Sequence, residues 1–344
     1  MTIRIGLMGF GRIGRNIFRI LSQRDDIQVA AINDVADHAA LQYLLRFDTV
    51  LGRFPGPVAL KGDTMIAGGR EVRMLSGREP GDADWKGLGV EFVIEATARH
   101  RSLSELERHL AAGARHVIVC APPTEEPDIT VIFGVNERDL SPRHRIISNG
   151  SCTSNAAGPL VRLLHETFGI RQGFLTTVHA YTNDQRLADV PADDLRRSRA
   201  AAENIIPTET RAHEMLMKLI PGLAGKLGGI AMNVPVPDGS VVDLVVQLER
   251  PCTAGAANDV VRDAAAGPLS GIIEYEEDPI VSSDVILNPH SGVFDSLATQ
   301  VLGEGLLRVL VWFDNGWGYA NRALDLVHRL AGAPVRQSRV ERAL

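Results

Sequence analysis

Only three cysteines occur in 344 residues (Cys120, Cys152 and Cys252), too few for a disulfide framework and with no CxxC pair for zinc. Aromatics are scarce at 5%, so any core must be built from aliphatic side chains, as in layered α/β domains. No apolar run reaches the length of a membrane span, and the N-terminus, MTIRIGLMGFGRIGRN, lacks the apolar core of a signal peptide. A soluble, cytoplasmic protein with no membrane partner is expected. The 36 basic residues are scattered and outnumbered by 42 acidic ones, a formal charge of −6, which disfavours bulk electrostatic binding of nucleic acid. His165, His213, His290 and His328 show no metal-ligand spacing with carboxylates, so no metal site is expected. What the chain does have is apolar content: at 45% hydrophobic residues it can build one large or two ordinary domains.

Ile3–Met8 reads as a short β-branched strand, followed by Gly9-Phe10-Gly11-Arg12-Ile13-Gly14 and a helical pattern through Ile13, Ile17, Ile20 and Leu21. Residues 27–32 read as a second strand ending in Asn33-Asp34, which completes a βαβ unit. Further strands are expected at 90–96, 116–120 and 130–135, with a helix at 103–112; the first two are continuous apolar runs, as parallel strands covered on both faces require. Beyond Ser148-Asn149-Gly150 the texture becomes sheet-rich. A helix is expected at 153–168, strands at 174–181, 230–236, Ser240–Leu248 and Leu306–Phe313, and a closing helix at 319–330. The expected fold is therefore α/β plus α+β: a dinucleotide-binding domain over 1–150 and a second, mixed-sheet catalytic domain over 151–316.

The glycine turn sits between a strand and a helix, where a dinucleotide fingerprint has physical meaning. Gly9 permits the tight turn, Gly11 lets backbone approach a pyrophosphate, and Gly14 allows close helix–strand packing. Asp34 lies twenty residues beyond Gly14 at the end of the second strand, where its carboxylate can bind the adenosine ribose hydroxyls. The same charge repels a 2′-phosphate, so the expected cofactor is NAD and not NADP.

Cys152 precedes a helical run within SNGSCTSN (148–155), and a thiol at a helix N-terminus has its thiolate stabilised by the dipole. His179, near the end of the strand in TTVHAYTNDQ (176–185), is a plausible base for it. On the residues alone, a small buried cysteine and a packed strand histidine fit equally well. Cys120, ending an apolar strand, and Cys252, after a proline, read as packed thiols.

Taken together, GFGRIGRN, Asn33-Asp34, SNGSCTSN, TTVHAYTNDQ, LRRSRAAAENIIPT, VPVPDGSVVDL and WFDNGWGYANR resemble the phosphorylating glyceraldehyde-3-phosphate dehydrogenases, in order, from about residue 2 to 330. The resemblance implies NAD-dependent oxidation of glyceraldehyde 3-phosphate to 1,3-bisphosphoglycerate. Cys152 attacks the aldehyde, His179 serves as base while hydride passes to the nicotinamide, and inorganic phosphate releases an acyl phosphate from the resulting thioester. It also implies cofactor contacts from Arg12, Ile13, Arg78, Thr97, Cys120 and Asn315, with Tyr319 packing beside Asn315. Ser151, Thr153 and Thr210 match positions for inorganic phosphate, and Thr182 and Arg197 match positions near the two anion sites. A homotetramer, and a C-terminal segment 317–344 that packs on the first domain, are further implications.

The chain departs from this pattern in several places. Asn233, within Ala231-Met232-Asn233-Val234-Pro235, stands where an arginine is expected, which removes a charge and a bidentate fork. Arg211 stands after Thr210 where glycine is usual and could return a cation to the anion sites, a feature similar to the Thr-Lys of erythrose-4-phosphate dehydrogenases. Met8, the run Glu95-Ala96-Thr97-Ala98-Arg99, Cys120 and Gly316 are smaller departures around the cofactor. Alternatives to the main reading are a dehydrogenase for erythrose 4-phosphate or a related aldose phosphate, and a catalytically decayed NAD-binding regulatory protein.

Overall fold

The computed structural model describes residues 2–334. These fall into two compact units, residues 2–131, 138–151 and 320–334 in the first and residues 132–137 and 152–319 in the second. Residues 335–344 of the expected closing segment lie outside those described.

The first unit contains β1 (Ile3–Met8), α1 (Arg12–Leu21), β2 (Ile27–Asn33), α2 (His38–Arg46), a two-residue ladder of β3 (Phe47–Asp48) with β4 (Gly52–Arg53), β5 (Val58–Lys61), β6 (Thr64–Ala67), β7 (Arg70–Leu75), β8 (Phe92–Glu95), α3 (Leu103–Ala111), β9 (His116–Val119), β10 (Ile129–Thr130) and β11 (Ile146–Ser148). Nine strands form one sheet in the order β10-β11-β9-β8-β1-β2-β7-β6-β5, parallel from β10 to β7, with an antiparallel hairpin edge. β1 pairs with β2 on one side and β8 on the other, so the chain order reverses at the carboxyl end of β1. β8 and β9 are buried throughout, which explains their unbroken apolar runs. Gly6 makes room for Trp85, since a Cβ there would lie 2.5 Å from its ring. Asp37 caps α2 through Ala40 N, and Ser102 with Glu105 forms a capping box on α3.

The second unit contains α4 (Cys152–Phe168), β12 (Ile170–Ala180), β13 (Ile206–Thr208), α5 (Ala212–Leu219), β14 (Leu227–Val234), β15 (Ser240–Leu248), α6 (Ala254–Ala266), β16 (Ile273–Glu276), β17 (Gly292–Leu302) and β18 (Leu306–Phe313). Its mixed sheet runs β13-β14-β12-β15-β18-β17-β16. Val242, Leu244, Val246 and Leu248 of β15 alternate onto the same core as Leu307, Val309, Val311 and Phe313 of β18, with Leu160, Val161 and Leu164 of α4 packed among them. Each fully buried aliphatic side chain of this kind contributes about 1.5–3 kcal/mol. α7 (Trp317–Leu330) follows, and from Ala320 onward its residues belong to the first unit.

The expected strand at 130–135 is not formed. Only Ile129–Thr130 pairs; the chain then turns, with Val135 N and Asn136 N both donating to Ile132 O and Gly134 at φ +81°. The apolar residues of that run, Ile132 and Val135, serve the core of the second unit. Likewise 230–236 is a strand only to Val234, after which Pro235 cannot donate to a ladder.

Candidate active site

In the first unit, β1 delivers Gly9 into a left-handed turn at φ +92°, and Gly9 N donates to Asn33 O at 2.8 Å. Asp34 closes the turn from the other side, accepting from Phe10 N at 2.7 Å and from Ala36 N at 2.9 Å. A Cβ on Gly14 would stand 2.3 Å from Gly9 O, so α1 starts against the backbone of the turn. A Cβ on Gly11 would meet nothing within 4 Å. Gly11 caps α1 with no side-chain bond, and no acidic residue stands in the helix's first turn. An uncapped helix start, an open approach at Gly11 and a carboxylate at the end of β2 are what a dinucleotide's pyrophosphate and ribose require, so the residues present fit NAD. Arg12 and Ile13 open the helix.

Thr97 packs against the turn: a Cβ on Gly9 would be 2.9 Å from both Thr97 N and its methyl carbon. Thr97 is held by Glu95, whose Oε1 accepts from Thr97 N at 2.8 Å and from its hydroxyl at 2.5 Å. Glu95 is itself buried and meets His109 Nε2 at 3.2 Å, while Trp85 Nε1 donates to His109 Nδ1 at 3.0 Å. The indole can only donate, so the His109 proton sits on Nε2 and points at Glu95. Ala98, next in line, is a non-glycine residue at φ +57°. Arg78 O accepts from His100 Nε2 at 3.2 Å, which ties the Arg78 loop to the residues before α3. Burial, with the Glu95 charge added, pushes the Cys120 thiol far up, so it stays protonated and unreactive.

In the second unit, Cys152 is the first residue of α4 and His179 stands one residue from the end of β12. Cys152 Sγ lies 3.3 Å from His179 Nε2. His179 Nδ1 lies 2.6 Å from Ala180 O, and a carbonyl only accepts, so Nδ1 donates there and Nε2 is the ring nitrogen that faces the thiol. The ring also meets Phe313 edge-on, centroids 5.9 Å apart. Asn315 Oδ1 accepts from Ser240 Oγ at 3.3 Å, and Ser240 Oγ accepts from Ala180 N at 3.0 Å, which links the Asn315 amide to the His179 strand. Asp314 anchors the same segment by accepting from Gly316 N, Trp317 N and Leu287 N; burial, then the nearby Asp238, raises it to about 7. Tyr319 is buried two residues into α7.

The residues expected to hold anions are differently disposed. Ser151 directly precedes α4 and Thr153 is buried in its first turn, where no acidic residue intervenes. Thr210 Oγ1 accepts from Ala212 N at 3.3 Å, at the start of α5. Thr182 and Arg197 both engage Asp184, the hydroxyl by donating and the guanidinium as an ion pair. Asn233 pairs in register with His179 across β12 and β14, and with Ile206 across β13. From Ile206 the chain runs away from Asn233, through Thr208 opposite Ala231, so Arg211 emerges at the N-cap of α5, exposed and displaced along the ladder. The register therefore does not bring Arg211 to Asn233. Asp184, Gln185, Ser240 and Asp314 escaped the reading of the sequence, although the first two lie inside TTVHAYTNDQ; the partners Arg197 of Asp184, Asn233 of Gln185 and Asn315 of Ser240 are 13, 48 and 75 positions away, beyond any local pattern.

Comparison with known proteins agrees with this geometry. Residues 3–103 match the family described as glyceraldehyde 3-phosphate dehydrogenase, NAD binding domain, and residues 151–315 match its C-terminal domain. The chain is 50% identical over 329 residues to the glyceraldehyde-3-phosphate dehydrogenase of Streptomyces coelicolor, covering 95% of this chain and 98% of that protein. It is 48% identical over 328 residues to glyceraldehyde-3-phosphate dehydrogenase 2 of Streptomyces avermitilis, with the same coverage. The Geobacillus stearothermophilus protein of the same name is 44% identical over 332 residues, 96% of this chain and 99% of its own length. With a dinucleotide turn in one unit, a cysteine–histidine pair in the other and relatives matched almost end to end, the chain belongs to the glyceraldehyde-3-phosphate dehydrogenase family.

Proposed function

We propose that this protein is an NAD-dependent dehydrogenase that oxidises glyceraldehyde 3-phosphate and captures the product as an acyl phosphate. The observation that carries the reading is Cys152 Sγ at 3.3 Å from His179 Nε2, at the start of α4. His179 takes the thiol proton as sulfur bonds to the aldehyde carbon, and the carbonyl oxygen becomes the hydroxyl of a thiohemiacetal. With that proton passed on to the carbonyl oxygen, His179 Nε2 is free to accept it back from the hydroxyl while the carbon is oxidised to a thioester. NAD, held by the Gly9–Gly14 turn and Asp34, supplies the two-electron acceptor for that oxidation. Phosphate then forms a bond to the acyl carbon, the C–S bond breaks, and Cys152 leaves as a thiolate stabilised at the N-terminus of α4. Ala180 O holds His179 in one tautomer through both half-reactions. Ser151, Thr153 and Thr210 supply neutral donors for phosphate, and Arg197, tied to Asp184, the nearby cation.

The test is formation of reduced cofactor from glyceraldehyde 3-phosphate with and without inorganic phosphate, with Cys152→Ser as control. Phosphate-dependent turnover that vanishes in the variant supports the reading; turnover indifferent to phosphate, or surviving in Cys152→Ser, overturns it.

Assembly as a homotetramer and a cytoplasmic setting belong to the same proposal. Leu187 and Leu195 are 82% and 81% exposed in the loop after β12, and Ile205 and Phe174 are also exposed, an apolar surface suited to a second copy. All three cysteines are free, and the chemistry needs Cys152 reduced, as cytoplasmic conditions keep it. Sedimentation at micromolar concentration tests the assembly: a monomer would refute it. No helix among the described residues is long and apolar enough to cross a membrane.

A further inference from the structure

Glu95 ends β8 and is 1% exposed, and both of its carboxyl oxygens face donors. Oε1 accepts from Thr97 N and from the Thr97 hydroxyl, and Oε2 meets His109 Nε2 at 3.2 Å. Three donors and no acceptor surround the group, so it is a carboxylate and not an acid. Among the described residues no lysine or arginine pairs with it; its one ion-pair partner is His109. That partner cannot cancel the charge. His109 Nδ1 accepts from Trp85 Nε1 at 3.0 Å, and a ring nitrogen that accepts carries no proton. The imidazole therefore holds a single proton, on Nε2, and is neutral. Trp85 and His109 are both fully buried, so water does not compete for that contact. The network as a whole carries one net negative charge at the carboxyl end of β8.

The topology assigns a neighbour to that charge. Strand order reverses at β1, with β2 and its terminal Asp34 on one side and β8 on the other. A dinucleotide spans such a crevice with its pyrophosphate on the start of the first helix. With the adenosine ribose at Asp34, the nicotinamide half falls on the side of β8 and β9. Glu95 closes β8, Cys120 directly follows β9, and Cys120 N donates to Glu95 O at 2.9 Å. The field of Glu95 is felt on this side: after burial, it is the second cause that holds the Cys120 thiol up. The two forms of the cofactor differ here by one charge, since the nicotinamide ring is cationic when oxidised and neutral when reduced. We propose that Glu95 sets the cofactor-form preference of the site: its buried charge, left uncancelled because Trp85 keeps His109 neutral, makes the protein bind NAD in preference to NADH. The preference favours loading of the oxidised form and release of the reduced one. This rests on the reading of the Gly9–Gly14 turn and Asp34 as the NAD site.

The experiment measures Kd for NADH by the fluorescence of the bound cofactor and Kd for NAD by displacement, and follows the ratio Kd(NADH)/Kd(NAD). Two unit charges about 12 Å apart at an effective dielectric constant of about 20 are worth about tenfold in an equilibrium constant. Glu95→Gln, which removes the charge and keeps the shape, should therefore lower the ratio by about three- to tenfold, chiefly by weakening NAD. Glu95→Asp, which keeps the charge, should restore the ratio even where the shorter side chain weakens both forms. Thr97→Val, which loosens the turn and leaves the charge in place, should shift the two constants together. A merely structural role would do the same in every variant, raising both constants and leaving the ratio alone. An unchanged ratio in Glu95→Gln overturns the proposal. Should that variant fail to fold, because its NH2 would face the His109 N–H, Glu95→Gln combined with His109→Gln supplies the missing acceptor in a neutral network and decides in its place. Failure of the underlying reading looks different: Gly11→Ala then leaves both constants where they were, whatever the ratio does.

Discussion

The glycine turn of the first unit separates a structural glycine from a ligand-facing one, and two single-methyl substitutions test that division. At Gly14 the added Cβ would stand 2.3 Å from Gly9 O, a backbone atom that cannot swing aside. Restoring an ordinary contact moves α1 from the turn by about 1 Å, at about 1–3 kcal/mol, the usual cost of overpacking. At Gly11 the Cβ meets no protein atom within 4 Å, and φ is −69°, a value any residue adopts. The fold should therefore lose at most about 1 kcal/mol, the difference between glycine and alanine at an N-cap. The methyl would, however, occupy the approach of the pyrophosphate to the backbone. Losing one hydrogen bond to a charged group there is worth about 1.5–3 kcal/mol, or about 10- to 150-fold in Kd. NAD titration followed by fluorescence, paired with urea unfolding, reads both quantities. Gly11→Ala should bind weakly and unfold normally; Gly14→Ala should be impaired in both. A Gly11→Ala protein that binds NAD within threefold of the unaltered chain would refute the placement of the pyrophosphate at this turn.

Three other outcomes are expected. His179→Ala should lower kcat by about 10²–10⁴, the usual contribution of a positioned base, and slow iodoacetamide labelling of Cys152 at neutral pH; labelling at the original rate would remove His179 from the activation of the thiol. Asp314, raised to about 7 in the fold from an ordinary 3.8, adds stability that is complete below about pH 4 and lost as pH rises through 7. Urea midpoints across that range should thus fall relative to those of Asp314→Asn, and a parallel pair of curves would show that Asp314 titrates normally. Glu105 behaves oppositely: the Ser102 hydroxyl and backbone hold it down at about 2, so its contribution is present above about pH 4.5 and fades as pH falls through 2. Ser102→Ala, which breaks the capping box, should cost about 1 kcal/mol at pH 7 and less at pH 2 by the same measurement.

Long runs of β-prone residues were legible from sequence to the residue. Ser240–Leu248 and Leu306–Phe313 are rich in valine and leucine, and both have the bounds their composition predicts. The glycine turn was legible because three glycines and an aspartate answer to one geometry. The segment 130–135 misled because its apolar residues are buried by packing after a turn, and burial alone does not report strand pairing. The hairpin edge of β5, β6 and β7 was missed since Arg70, Glu71 and Arg73 dilute its alternation. In the second unit, cysteine and histidine types suggested chemistry, but the tautomer of His179 depends on a carbonyl whose approach only the folded strand determines. The Gln185–Asn233 pair joins residues 48 positions apart, beyond the reach of any local pattern.

The three thiols form a self-calibrating set. Cys120 is held protonated by burial and by the Glu95 charge, and burial also raises Cys252, so only Cys152 stands against a base. A mild electrophile added in slight excess should therefore stop at one equivalent per chain, at a residue that mass spectrometry can identify. Any shortfall below one equivalent counts the molecules whose Cys152 has been oxidised or whose helix start has collapsed. A preparation can thus be graded by its reactive sulfur, before any substrate is chosen.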